Sequence, residues 1–227
     1  AAQPRAVELG RAHHLDVHAA DLDRVEAASL DDVVDAFEKL GWSPAIGERV
    51  SSAALTTQLG VLDRYTGLLQ RLLDILVEAD VLASVDGEWA VIRPISSAAR
   101  ALRPALPEGP EAALLGRCGP KLAEVLRGEV DPLQLLFPGG STDVAEELYH
   151  HSPHALVYNR LAAEAVVSAI AQAPAGRPVR ILEIGGGTGG TTGFVLPALP
   201  ADRVEYTFTD ISPLFTAKAQ ERFAAHP

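Results

Sequence analysis

The sequence predicts an α/β protein in which a mainly helical N-terminal region with a winged-helix-like hairpin precedes the start of a doubly wound, nucleotide-binding core. Three observations carry that reading. Val179 to Ile184 is a short aliphatic run bounded by Pro178 and a glycine cluster, the pattern of a strand buried on both faces of a parallel sheet. A second run, Val204 to Thr209, ends in Asp210. Far upstream, Val81 to Val85 and Glu88 to Ile92 flank Asp86-Gly87 directly after an apolar helical stripe, which signals a hairpin following a helix.

Between the two downstream strands, Gly185-Gly186-Gly187-Thr188-Gly189-Gly190 leads into a helix predicted over Thr191 to Leu199. Without Cβ atoms this backbone can take positive φ, approach a ligand closely and offer it free N–H groups at the helix start. Asp210 lies 21 positions beyond Gly189 (210 − 189), close to the ~20-residue offset at which a doubly wound fold sets a carboxylate on a ribose hydroxyl. The spacing also satisfies the dinucleotide pattern, with its third glycine at Gly190, so pattern alone leaves NAD open. Glu183, at the strand end, would repel a pyrophosphate and suits an ammonium or a sulfonium, which favours S-adenosylmethionine. The plain alternative is a tight turn with no ligand; the correctly spaced acid argues against it.

Upstream, residues 1–28 read as a polar leader or linker; His13, His14 and His18 among Asp16, Asp21 and Asp23 lack the framework of a metal site. From Ser29, a plausible cap, Val33, Val34, Phe37 and Leu40 repeat at helical spacing until Gly41. A second helix is expected over Ala53 to Leu59 and a third over Tyr65 to Ala79, where Leu68, Leu69, Leu72, Leu73, Leu76 and Val77 form a wide apolar stripe. Helices followed by the Asp86-Gly87 hairpin suggest a winged helix. The helix before it is net acidic from Gln70 to Asp80, which argues against a DNA-reading role. Arg93 to Pro110 reads as a proline-rich linker, Gly119 to Arg127 as an apolar helix with Cys118 at its start, and Asp131 to Gly140 as a short apolar element ending in a turn. Ser141-Thr142-Asp143 can cap the next helix, and a long helix should run from about His154 to Ala173. The expected division is 1–28 leader, 29–173 helical lid and 174–227 the first βαβα portion of the core.

Composition bounds the function classes. The 227 residues carry 19 basic and 30 acidic groups, a formal charge of −11, and this excess repels phosphate backbones. No apolar run reaches the ~20 residues of a membrane span, so neither nucleic acid nor membrane is an expected partner. Cys118 is the only cysteine, which fits a reducing, cytoplasmic setting. With no base to activate it, Cys118 reads as a small buried residue rather than a nucleophile. The absence of methionine and the presence of only two strands of the expected sheet suggest a piece of something longer.

Cys118-Gly119-Pro120-Lys121-Leu122, Asp131-Pro132-Leu133-Gln134-Leu135-Leu136-Phe137-Pro138, Tyr149 with Ser152-Pro153, Tyr158-Asn159, and Leu182 to Thr192 through Phe208-Thr209-Asp210-Ile211-Ser212 occur in one order. Together they resemble the methyltransferase domains embedded in modular polyketide synthases, over a stretch from about Leu40 to the end. The resemblance implies a helical lid ahead of a class I, Rossmann-like core. It also implies S-adenosylmethionine as cofactor and an acyl chain held by phosphopantetheine on an acyl carrier protein, among neighbouring synthase domains. The usual reaction is methylation of the α-carbon of a β-ketoacyl thioester. An O-methyltransferase and a non-catalytic structural remnant are the alternatives. It places Glu183, Gly185, Gly187 and Gly189 at the methionine end of the cofactor, Asp210 on the ribose and Ile211 against the adenine. Tyr158 is a further cofactor candidate, and Tyr149 and Asn159 are substrate-side candidates. The catalytic His and Glu of carbon-methylating members are expected beyond Pro227. His150 and His151, about 100° apart on a helix, read as surface residues.

Overall fold

The computed structural model describes residues 2–95, 105–174 and 176–226. The chain divides into two compact units, residues 1–19 with 142–227, and residues 20–141. These boundaries differ from the expected division at residues 28 and 173. Residues 96–104 of the expected linker lie outside the described residues, and Pro110 at its far end already begins a helix.

Residues 2–28 are helical rather than a loose leader: α1 spans Ala2–Ala12 and α2 runs unbroken through Leu15–Lys39. Alanine-rich sequence with few breakers favours this, and Leu9 is buried. Ser29 is therefore inside α2 instead of capping it, and its hydroxyl donates back to the Glu26 carbonyl at 2.9 Å. Gly41 ends the helix at φ 86°, as its lack of a Cβ permits.

The unit of residues 20–141 is built around the helical stripes. After β1 (Arg49–Val50), α3 (Ser52–Leu59) starts on a Ser51 hydroxyl that accepts the Ala54 N–H. In α4 (Thr66–Glu78), Leu69, Leu72, Leu73 and Leu76 recur at positions i, i+3, i+4 and i+7, all buried. They pack with Phe37, Trp42 and Leu55 in one core, each such side chain contributing about 1.5–3 kcal/mol on removal from water. Strands β2 (Leu82–Val85) and β3 (Glu88–Val91) form the expected hairpin, joined by Asp86 and Gly87 with φ of 54° and 82°, the doubly left-handed turn that matches strand twist. With β1 they make an antiparallel sheet in the order β1-β3-β2, giving the winged-helix pattern. Arg127 ties this unit together by donating to the Leu40 and Leu59 carbonyls at the ends of α2 and α3. The later helices are α5 (Pro110–Cys118), α6 (Leu122–Leu126) and α7 (Pro132–Leu136). Cys118 thus closes α5 rather than opening a helix.

The other unit carries the glycine segment. From α8 (Asp143–Glu146) the chain widens into a π-helical turn, Glu147–His151, closed by the Ser152 N–H on the Glu147 carbonyl at 3.0 Å. Ser152 then caps α9 (Pro153–Gln172) by accepting the Ala155 N–H. Strands β4 (Val179–Ile184) and β5 (Val204–Thr209) match the predicted ranges and pair in parallel, with Ile184 opposite Thr209. Between them lies α10 (Gly190–Val195), and α11 (Pro213–Arg222) follows β5. One face of the strand pair carries Glu183, Tyr206 and Phe208; on the other, Leu182 and Ile184 are 61% and 81% exposed. The expectation of burial on both faces therefore does not hold in this chain: one face is half-buried and the other exposed.

Candidate functional site

The site forms where β4 and β5 end together. Because Ile184 pairs with Thr209, the next residues, Gly185 and Asp210, emerge side by side at the carboxyl ends of the strands, the position where open parallel sheets bind ligands. The bend then takes φ of 72° at Gly185, 55° at Gly187 and 75° at Gly189, conformations that glycine adopts at no steric cost. Its glycines fall into two kinds. A methyl group on Gly185 would meet nothing within 4 Å, and one on Gly187 only the Gly185 carbonyl at 3.9 Å. On Gly186 it would lie 2.1 Å from the Phe208 ring, and on Gly190 2.5 Å from the Tyr149 carbonyl oxygen. The first pair leaves an open cradle, and the second lets the bend seat tightly on the protein.

Asp210 holds the bend from beside. Its Oδ2 accepts the Gly187 N–H at 2.9 Å and its Oδ1 the Ser212 N–H at 2.8 Å. A carboxylate offers about four lone-pair sites, so each oxygen retains capacity for a hydroxyl. The Gly186 N–H donates to the Thr209 carbonyl and the Gly189 N–H to the Gly186 carbonyl, both at 2.9 Å. The sequence-based expectation of free amides therefore needs correction at Gly186, Gly187 and Gly189: these N–H groups fix the shape of the bend. What the bend offers a ligand there is room.

Glu183 sits beneath α10. Its Oε2 accepts from the Thr192 hydroxyl at 2.5 Å and the Tyr206 phenol at 2.9 Å. Burial, followed by the Glu183 charge, holds the phenol's pKa above its ordinary value, so Tyr206 remains a donor. The Thr209 hydroxyl donates to the Glu183 carbonyl at 2.7 Å, bracing the strand ends. A cleft of about 620 Å³, lined by Leu196, Tyr206, Phe208, Ala219 and Phe223 among others, lies along this covered face; Gly185, Gly187 and Asp210 are not part of its wall.

The π-helical turn meets the bend from the opposite side. His150 is buried at 5% exposure, not a surface residue. One extra residue in the turn re-aims side chains relative to an α-helix, which α-helical spacing does not register. Its Nε2 lies 2.9 Å from the Thr188 hydroxyl, and Nη1 of Arg222 lies 2.7 Å from Nδ1 and 3.2 Å from the Thr188 carbonyl. The same Nη1 lies 3.2 Å from Nε2, so both ring nitrogens face a guanidinium, which only donates. Burial first, then the Arg222 charge, lowers the imidazole pKa.

Asn159 is buried, its amide donating to the Tyr149 carbonyl at 3.0 Å and accepting from the Thr191 hydroxyl at 2.8 Å. It braces the π turn against α10. Tyr149 and Tyr158 are more than half exposed, and Tyr158 stacks on the His154 ring at 5.8 Å. Ile211, next to Asp210, is fully exposed. Cys118 is far along the chain in the other unit, and burial raises its thiol pKa, the condition of an inert thiol. Among the described residues, no three His, Cys, Asp or Glu side chains are grouped as metal ligands. None of the described helices is long and apolar enough to cross a membrane.

A family model described as "Methyltransferase domain" matches residues 182–227, the stretch from β4 through the bend to α11. Methylphloroacetophenone synthase of Cladonia uncialis is 35% identical over 207 residues, which cover 86% of this chain and 8% of that protein. Among solved structures, the CurJ carbon methyltransferase superposes with a TM-score of 0.83 at 35% identity, covering 98% of this chain and 61% of that one. The CMeT domain of the citrinin polyketide synthase gives 0.74 at 27% identity, covering 100% and 62%. The chain thus spans about a twelfth of the first curated relatives and about three-fifths of these structures. With a class I core following a helical N-terminal region, an open glycine cradle and an acid one strand away, the chain is similar over nearly its whole length to methyltransferase domains of polyketide synthases, carbon methyltransferases among them.

Proposed function

We propose that this chain supplies the S-adenosylmethionine-binding part of a domain that methylates the α-carbon of a β-ketoacyl chain carried by phosphopantetheine on an acyl carrier protein. One observation carries the reading: the in-register end of β4 and β5 sets an open bend, free of side chains over residues 185–187, directly beside Asp210. The remaining lone pairs of Asp210 suit a ribose diol, and the room over Gly185 and Gly187 suits the methionine portion. Glu183 supplies negative charge behind the bend, favourable to an ammonium or sulfonium and unfavourable to a pyrophosphate. Ile211 offers an apolar surface to the adenine. Gly189, packed against Phe223, sets the turn into α10. Tyr149 presents an exposed ring suited to the substrate side and Tyr158 one suited to the cofactor, while Asn159 fixes the backbone that carries Tyr149.

When bound, S-adenosylmethionine supplies an electrophilic methyl on a sulfonium. The contribution of this chain is to orient it: rigid hydrogen bonds preset the bend, so little ordering remains to be done on binding. Calorimetric titration of the intact protein tests the reading. S-adenosylmethionine should bind, NADPH should not, and Asp210→Ala should weaken binding by at least tenfold. No binding at millimolar S-adenosylmethionine would sink the proposal. Mass spectrometry of the carrier-bound β-ketoacyl product then distinguishes a methyl on carbon from one on oxygen.

A further inference from the structure

Residues 185–190 read Gly-Gly-Gly-Thr-Gly-Gly. Thr188 is therefore the only side chain in the bend, and the only one by which the rest of the protein can grip it. Every polar contact recorded for that grip runs through two residues. His150 bonds the Thr188 hydroxyl, and Arg222 bonds both the Thr188 carbonyl and the ring of His150. Three elements from separate parts of the chain, the π turn, the bend and α11, thus meet at one imidazole.

We propose that His150 is a positioning residue that holds the glycine bend in its ligand-receptive shape only while its ring is neutral, so that acid loosens the bend and weakens cofactor binding. The second half rests on the S-adenosylmethionine reading; the first stands on the geometry alone. A proton added to the ring would set its charge against the Arg222 guanidinium, whose Nη1 lies 2.7 Å from Nδ1 and 3.2 Å from Nε2, cation against cation. The other ionisable groups around the ring are Glu146 on α8 and His151 on the turn itself. Glu146 would favour the protonated ring, but its Oε1 already takes the Thr142 hydroxyl and Lys218 of α11. Thr188 brings only dipoles. Protonation therefore expels Arg222, which also releases the Thr188 carbonyl. Gly187 and Gly189 on either side sit at positive φ, and the bend then rests on the Asp210 bond to the Gly187 N–H without its tie to the π turn.

Hydrogen exchange of residues 185–190 in the cofactor-free intact protein, corrected for intrinsic rates over about pH 5 to about 8, reads the first half. Titration with S-adenosylmethionine over the same range reads the second. In the wild type, protection should fall on the acid side of an imidazole transition, and affinity should drop by up to about tenfold per pH unit below it. His150→Gln keeps an acceptor and a donor but does not titrate, and should flatten both profiles. Arg222→Gln removes the opposing cation and should move the transition to higher pH, a test that stands even if the His150 variant fails to fold. A wild-type bend whose protection is independent of pH overturns the proposal, as does an unshifted transition in Arg222→Gln. A bend that loosens with acid in a protein binding no S-adenosylmethionine at any pH supports the grip and removes the cofactor reading instead.

Discussion

Replacing Gly190 by alanine should unseat the π-helical turn from the start of α10. The added methyl would sit 2.5 Å from the Tyr149 carbonyl oxygen, while ordinary contact begins near 3.4 Å, so the two backbones must separate by roughly 0.9 Å (3.4 − 2.5). Backbone offers no rotamer change to relieve this, and overpacking of that kind costs about 1–3 kcal/mol. The displaced carbonyl also accepts the Asn159 amide at 3.0 Å, and stretching that bond adds about 1 kcal/mol. Together these give about 2–4 kcal/mol, or about 30- to 900-fold in the equilibrium between seated and unseated turn. The assay is hydrogen exchange of residues 147–152 in the intact protein, with Gly67→Ala as control. In the control the methyl on α4 meets nothing within 4 Å, and alanine is about 1 kcal/mol the better helix former. Gly190→Ala within threefold of wild-type protection would refute the reasoning, since it would mean that the close approach is not what holds the turn.

Gly187→Ala should behave in the opposite manner, because its methyl has room but its φ of 55° does not suit alanine. Stability should fall by about 1–2 kcal/mol, measured by denaturant unfolding, while calorimetry shows a larger loss of S-adenosylmethionine binding. Thr192→Val and Tyr206→Phe each remove a donor from the same Glu183 oxygen; each should cost about 1–3 kcal/mol. A double-mutant cycle should show at least about 0.5 kcal/mol of coupling, and strict additivity would argue that the two act separately. The hydrogen bond from Thr142, followed by that from Lys218, holds the Glu146 carboxyl below its ordinary pKa. A depressed carboxylate adds stability above the unfolded value of about 4.3 that is lost as pH falls below it. Glu146→Gln should therefore flatten the acid limb of the stability curve seen by unfolding between about pH 3 and about 6, and an unchanged limb would exclude this network as a contributor.

Much of this architecture is legible in the residues because local pattern and packing agree. The strand limits at Val179, Ile184, Val204 and Thr209 follow from apolar runs cut by proline, glycine and aspartate, and the Asp86-Gly87 turn from one of the few dipeptides that accept two positive φ values cheaply. Gly185, Gly187 and Asp210 come together because strand pairing carries them there. What escaped the sequence depends on long-range partners or on departures from α geometry. Residues 2–28 look polar, yet α1 is held by pairing far along the chain, Arg5 with Glu164 at 2.9 Å. His150 looked superficial because a 3.6-residue period misplaces it; one π turn rotates it inward. Asn159 carried no signal of its bracing role, which exists only once Tyr149 and Thr191 are its neighbours.

The matched ends of the two parallel strands also restrict where this segment can change length. Residues 200–202, between α10 and β5, are where positions can be gained or lost with least effect on the alignment, since the Arg203 carbonyl already takes the Val179 N–H. A single residue inserted inside β5 would exchange inside for outside along everything after it. Either the phenol at 206 would turn away from the glutamate beneath α10, or the aspartate would leave the mouth of the sheet, and a sequence carrying such an insertion would lose one half of the arrangement to keep the other.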